Sequence, residues 1–500
     1  VIEEGTFDVS GFTLSVTGAG TETIIVETGG NLQLQGGETI TGDSASYPQL
    51  NSGSTVTYDG TSTPYTLKDY TYHHLTIAGG ASSVFTLAAN ESLGGNLTLT
   101  TGILSQGGFT LAVTGTFSND STLRRFQNET LTVTMDINSG TIEYVGDGDG
   151  SAETVTLADL GTTDYYNLKI NDTNVTKDIF ALGAATVIAG TLQVTSSEFQ
   201  QGLYDLTAVT LLVDGGTLTG SSSSSFVITV SGNATISSGT ANIGAAAIDV
   251  FGTLTISGGT YNGNTSWGQI INLALSSGAY NGNTSTPTLI FVTISGGTFT
   301  ASSATTTVGG DWTHTAGGTF VHNSGTVAFT GGGANINVTE TETFSGLTIS
   351  KDDNTLTIAS GDTLVAEGTL TLSNGYWQTG TLVAQGNIVV GASWDAAGAS
   401  TLNVTGSATQ TLDLSAGAGL LDNPVTVNKA GGSLTLASAY TLGHANADFT
   451  LTLGTFSTGN FTMTTSSGSD IAVNGGTFNA GSSTMTLAGL MTVAGGTYNG

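Results

Sequence analysis

The feature that most constrains this chain is a phrase that returns after nineteen residues. "GGTYNGNTS" at Gly258 to Ser266 comes back as "SGAYNGNTS" at Ser277 to Ser285. Its aromatic position recurs at Tyr261, Tyr280, Phe299 and Phe320, with steps of 19, 19 and 21 residues, and again at Phe456, Phe478 and Tyr498, with steps of 22 and 20. A period near twenty is too short for a complete antiparallel hairpin sheet but suits one coil of a solenoid with two or three short strands per turn. Successive coils then stack in parallel at about 4.8 Å, so that equivalent side chains lie above one another. The expectation is an all-β parallel β-solenoid of about 19–23 residues per turn, about 24 turns in all, with little or no helix. Tyr261, Tyr280, Phe299 and Phe320 should form an aromatic ladder with the asparagines of "YNGN" stacked nearby, because ring stacks and amide ladders both reward this register.

Within one period, "GTLTISGGTYNGN" alternates Leu254 and Ile256 with Thr253 and Thr255. That period of two sends aliphatics to one face and hydroxyls to the other. The same alternation occurs in "NLTLTTG" from Asn96, "FTLAVTG" from Phe109, "GTLTLSNG" from Gly368 and "FTLTLG" from Phe449. Each run ends in Gly, Asn or Ser-Gly, the residues of tight corners.

A longer period lies above the short one. "NSG" opens a strand at Asn51, Asn138 and Asn323; a turn later come "HLTI" (Leu75), "NLKI" (Leu168) and "GLTI" (Leu347), and after another turn "NLTL" (Leu97), "TLQV" (Leu192) and "TLTL" (Leu370). "PVTVNKAGGSLTL" from Pro424 echoes the passage without its opening. The division is into N-terminal turns (1–50) and modules at 51–137, 138–322 and 323–500, the second extended by the uniform GGTYNG turns. No polar linker separates them, so one continuous solenoid is expected.

Composition agrees. With 74 glycines, 4 prolines and only 9% charged residues, the fold must rest on apolar burial and backbone pairing. Against 37 acidic residues stand 7 basic ones, a net charge of −30, which repels phosphate backbones and makes nucleic acid an unsuitable partner. No apolar run reaches the ~20 residues that span a bilayer. The start "VIEEGTFDVS" has neither an initiator Met nor a signal-peptide core, so the chain reads as a mature or excerpted segment. With no cysteine there is no disulfide framework and no thiolate metal site.

The passage "GGDWTHTAGGTFVHNSGTVAFTGGGANINVTETETFSGLTISKDDNTLTIASGDTLVAEGTLTLSNG", Gly309 to Gly375, resembles the repeat text of large prokaryotic cell-surface and secreted β-helix proteins, which include filamentous-haemagglutinin-like and autotransporter-type adhesins. The resemblance covers most of the chain. It implies a right-handed parallel β-helix outside a cell, acting as stalk, adhesin or coat. It carries over no catalytic or binding residue.

Some β-helix proteins are polysaccharide-degrading enzymes, and these need paired carboxylates or carboxylates holding a cation. Here the acidic residues are thinly spread, and none lies between Val250 and Gly310. The only arginines, Arg124 and Arg125, are adjacent, so in a strand they point to opposite faces; a solvated corner is the favoured reading. No enzyme is expected. In "GDGDGSAE", Asp147, Asp149 and Glu153 stand at alternating positions with Ser151, like the start of a calcium loop, but the twelfth position is Ala158 and an exposed acidic loop is favoured. Calcium is the one cofactor with any signal. Among the histidines, His73 and His74 should diverge as strand neighbours, and His314, His322 and His444 are read as scattered.

Twelve N-x-S/T sequons occur, and Asn264 and Asn283 hold the same place on successive turns, where glycosylation would form a regular outer row. Trp267, Trp312, Trp377 and Trp394 offer either sugar-stacking faces or corner filling. Because open solenoid ends expose unpaired backbone groups, end-to-end self-association or continuation in a longer chain is expected. The leading expectation is an extracellular structural or adhesive solenoid at a cell surface, with surface glycans as partners in the alternative reading.

Overall fold

The computed structural model describes residues 1–16, 24–41, 48–62, 64–127, 129–395, 400–416 and 420–500. Among them are fifty-two strands and no helix. The strand pairings run parallel from the first turns to the last. The chain forms two compact units, Val1–Ala241 and Asn242–Gly500. Each is wound as a parallel β-solenoid, with about 23 turns in all.

Alternation along each strand builds the core. In the first unit Leu32, Val56, Leu75, Leu97 and Phe117 are partners on five successive turns, and all are buried. In the second unit Val327, Leu347, Leu370, Ile388 and Leu412 make an equivalent column. Fully burying one such aliphatic side chain stabilises the fold by about 1.5–3 kcal/mol, and a column repeats that gain at every turn. The long sequence period is also explained. Val56, Leu75 and Leu97 stack directly, as do Ile142, Leu168 and Leu192, and Val327, Leu347 and Leu370, so each "NSG" passage encodes three consecutive rungs.

The corner after each "LTI" rung is filled differently. Gly79 leaves room there, since a Cβ would lie 2.5 Å from Gly60 O and from the Phe85 ring. Buried Asp172 stands at the same place in the second module and accepts bonds from the amides of Asn174 (2.9 Å) and Asp178 (2.7 Å). Lys351 follows "GLTIS" and donates to the carbonyls of Thr330 (2.6 Å) and Gly309 (3.1 Å). Lys429, after "VTVN", donates to Thr405 O and to the Gln410 side chain. A buried polar group persists at a corner when it satisfies backbone groups that water cannot reach.

The repeated glycines have a steric cause. Gly278 has φ +76°, and a Cβ there would come within 2.2 Å of Gly259 O on the turn below; Gly297 has φ +68° and the same relation to Gly278 O at 2.5 Å. Only glycine combines that left-handed conformation with so close an approach.

Candidate functional site

On the outer face of the first unit a groove of about 510 Å³ runs across successive turns. Four strands position it: Thr122–Arg125, Thr141–Tyr144, Asn167–Asn171 and Thr186–Ser196. Their inward residues Leu123, Ile142, Leu168 and Leu192 lie in the core column. Alternation therefore turns Arg124, Glu143, Lys169 and Gln193 outward, as partners one turn apart.

Glu143 is the centre of the cluster. Its Oε2 accepts from Arg124 Nε and Nη2, both at 2.9 Å, and its Oε1 accepts from Asn171 Nδ2 at 2.9 Å and lies 3.1 Å from Lys169 Nζ. Its side chain is 4% exposed, against 25% for Arg124 and 29% for Lys169. Burial acts to raise the carboxyl pKa, but Arg124, Asn171 and Lys169 together hold it below its usual value. The Asn167 amide ties turns together, donating to Gly140 O at 2.9 Å and accepting from Thr191 N at 2.9 Å. Thr122, Thr141 and Thr191 add hydroxyls to the rim. The opening thus offers two cationic side chains, hydroxyls and amides, and a single carboxylate.

Arg124 and Arg125 do face opposite ways, yet neither sits at a solvated corner, because both belong to the paired strand Thr122–Arg125. Arg125 is 2% exposed, bonds to Gln106 Oε1 and Tyr144 Oη, and lies 5.2 Å from the Tyr144 ring centroid. The stack around Gln106 and Tyr144 accepts a buried guanidinium because its donors find acceptors there.

The loop with Asp147, Asp149 and Glu153 is exposed. Asp147 accepts from Asp149 N at 3.1 Å and Asp149 from Ser151 N at 2.7 Å, while the Glu153 amide bonds to Asp178 Oδ1 at 3.0 Å. The first two carboxylates thus close local turns. Among the described residues no group of three or more His, Asp or Glu side chains is placed to hold a metal ion.

His73 and His74 do not diverge: their ring centroids lie 4.5 Å apart, and both rings overhang Gly95. The strand begins only at His74, so the alternation rule does not govern His73. His73 Nε2 lies 3.2 Å from Ser52 Oγ, and His74 Nδ1 accepts from Asn96 N at 2.8 Å. His322 is 3.5 Å from Glu367, and His444 is exposed. His314 belongs to a cluster that its sequence neighbours do not announce. Its Nδ1 is 2.7 Å from Glu342 Oε2, which also accepts from Trp312 Nε1 at 3.2 Å. Burial raises the Glu342 pKa, opposed by His314. Only the spacing of 28 residues, more than one turn, carries that contact in the sequence.

Trp312, Trp377 and Trp394 are buried, whereas Trp267 is 47% exposed. Tyr261, Tyr280, Phe299 and Phe320 are register partners on successive turns. Beside them an amide ladder runs from Asn281 to Asn262 (2.8 Å) and from Asn262 to Asn242 (2.7 Å). Asn264 and Asn283 both have φ +53°, and Asn283 Nδ2 donates to Asn264 Oδ1 at 3.3 Å on the outside of the coil.

No family model matches the chain, and neither the curated proteins nor the solved structures contain a significant match.

Proposed function

We propose that the chain works outside a cell as a structural and adhesive solenoid, part of a surface fibre, stalk or coat. The observation that carries this reading is the use made of its polar chemistry. Asp172, Lys351 and Lys429 are buried and bind corner backbone groups, so the side chains most able to do chemistry instead hold turns together. A body of net charge −30 stays hydrated and keeps like surfaces apart. In this reading the chain is not an enzyme: hydrolysing a glycoside takes two carboxylates flanking the bond, and the groove holds Glu143 alone. Immunogold labelling of intact cells of the source organism tests it. Label on the cell surface or on material shed from it is expected, and label confined to the cytoplasm overturns it.

A second reading, glycan binding by the same surface protein, is favoured by the polar groove around Glu143 and by the exposed ring of Trp267.

A further inference from the structure

We infer that the groove around Glu143 binds an acidic saccharide, a uronate-type sugar held through its carboxylate and hydroxyls. This rests on the glycan-binding reading and gives it a site and a ligand class.

Charge favours such a ligand at this opening. Of the seven basic residues, Arg125, Lys351 and Lys429 are buried, which leaves Lys68, Arg124, Lys169 and Lys177 at the surface. Two of these four front one opening. With Glu143 between them the cluster keeps one net positive charge, in a molecule whose net charge is −30. Acidic glycans are repelled by such a body elsewhere and find a favourable potential here.

The cationic groups are preorganised. Glu143 accepts from Arg124, Asn171 and Lys169 together, so it holds both cations in place before any ligand arrives. One guanidinium nitrogen of Arg124, Nη1, and two ammonium protons of Lys169 take no part in those contacts. A ligand carboxylate placed over them makes charge-assisted bonds with donors whose ordering cost has already been met.

The rim is polar and suits sugar hydroxyls. Thr122, Thr141 and Thr191 supply hydroxyls at the spacing of successive strands, and Asn167 and Gln193, whose amides bond to Gly140 O, Thr191 N and Asp214 Oδ2, fix the shape of the rim. Sugar hydroxyls both donate and accept, as do these side chains. The volume of about 510 Å³ lies within the range of small-ligand sites. A nucleic acid does not fit, since its many phosphates need a wider basic surface.

The test is titration calorimetry at low salt with hexamers of galacturonate, of alginate and of hyaluronan, and with cellohexaose as the neutral control. The proteins are wild type, Lys169→Gln, Thr141→Val and Glu143→Gln. At least one uronate hexamer should bind, and cellohexaose should not. Lys169→Gln should weaken binding about tenfold, the loss of one charge-assisted contact. Thr141→Val should weaken it less, and Glu143→Gln should weaken it too, because it releases the two cations that the carboxylate holds in place. Failure of all three uronates to bind overturns the proposal, as does binding that Lys169→Gln leaves unchanged. Binding of cellohexaose that ignores all three substitutions overturns the groove assignment while leaving the broader glycan-binding reading in place.

Discussion

The rings of Tyr261 and Tyr280 lie one above the other, 4.8 Å between centroids and 6° between planes. Tyr280 repeats the relation with Phe299 at 4.6 Å and 6°. Phe320 departs from it, tilted by 33° at 5.9 Å from Phe299, where the repeat step lengthens from 19 to 21 residues and Trp312 packs against both rings. Equal turn length gives a flat stack, and two extra residues tilt it.

Tyr280 is fully buried and its hydroxyl has no hydrogen-bond partner. Tyr280→Ala should therefore cost about 3–5 kcal/mol through the cavity it leaves. Tyr280→Phe keeps the stack and removes an unsatisfied polar atom, so it should be neutral or stabilising by about 1 kcal/mol. Urea unfolding followed by circular dichroism separates the two, and a Phe variant weaker than the Ala variant would contradict the stacking account.

Gly278→Ala should lose at least about 2 kcal/mol, because the left-handed φ and the approach of Gly259 O both exclude a Cβ. Gly332, where a Cβ would meet nothing within 4 Å, is the control and should tolerate alanine to within about 0.5 kcal/mol. Equal denaturant midpoints for the two variants would count against the corner geometry.

Lys351 gives a pH signature. Burial lowers its pKa from 10.5 to about 8, against the opposing pull of Asp352 and Asp311. Between those values the unfolded chain keeps a proton that the folded chain has released, so stability rises with pH across the window. Below pH 8 the cost of burying the charged amine is fully present. Melting curves of wild type should climb from pH 8 to 10 relative to Lys351→Met, which lacks that proton; parallel curves would mean that the amine is not desolvated.

These cases also mark what could be read from the residues alone. Leu75, Leu168 and Leu347 declared strand, face and rung, because alternation and repeat length are local properties that packing only has to confirm. Corner chemistry was not legible. Asp172, Lys351 and Lys429 look like surface charges until the coil closes around them, and their partners lie in other turns or across a corner. The groove was hidden for the same reason: Arg124, Glu143 and Lys169 become neighbours only once turns of different length are set in register.

Glu143 adds an acid-side prediction. Its pKa is held below the usual 4.5, so its contribution is present above that value and lost as pH falls through the folded pKa. Glu143→Gln should cost about 1–3 kcal/mol at pH 7 and flatten this part of the acid unfolding curve. A variant as acid-sensitive as wild type would show that the charge cluster adds nothing to the fold.

Consecutive turns in register assemble both the body and its groove, and a pair of engineered cysteines tests this most directly. Thr122 and Thr141 are partners on adjacent turns, and Asn167 is the partner of Thr141 one turn further. Adjacent strands are about 4.8 Å apart, within disulfide reach, and alternate strands about twice that, beyond it. The chain has no cysteine of its own to interfere. Under mild oxidation Thr122→Cys with Thr141→Cys should form an intramolecular disulfide, and Thr122→Cys with Asn167→Cys should not. Failure of the first pair, or equal oxidation of both, would contradict the register on which the groove depends.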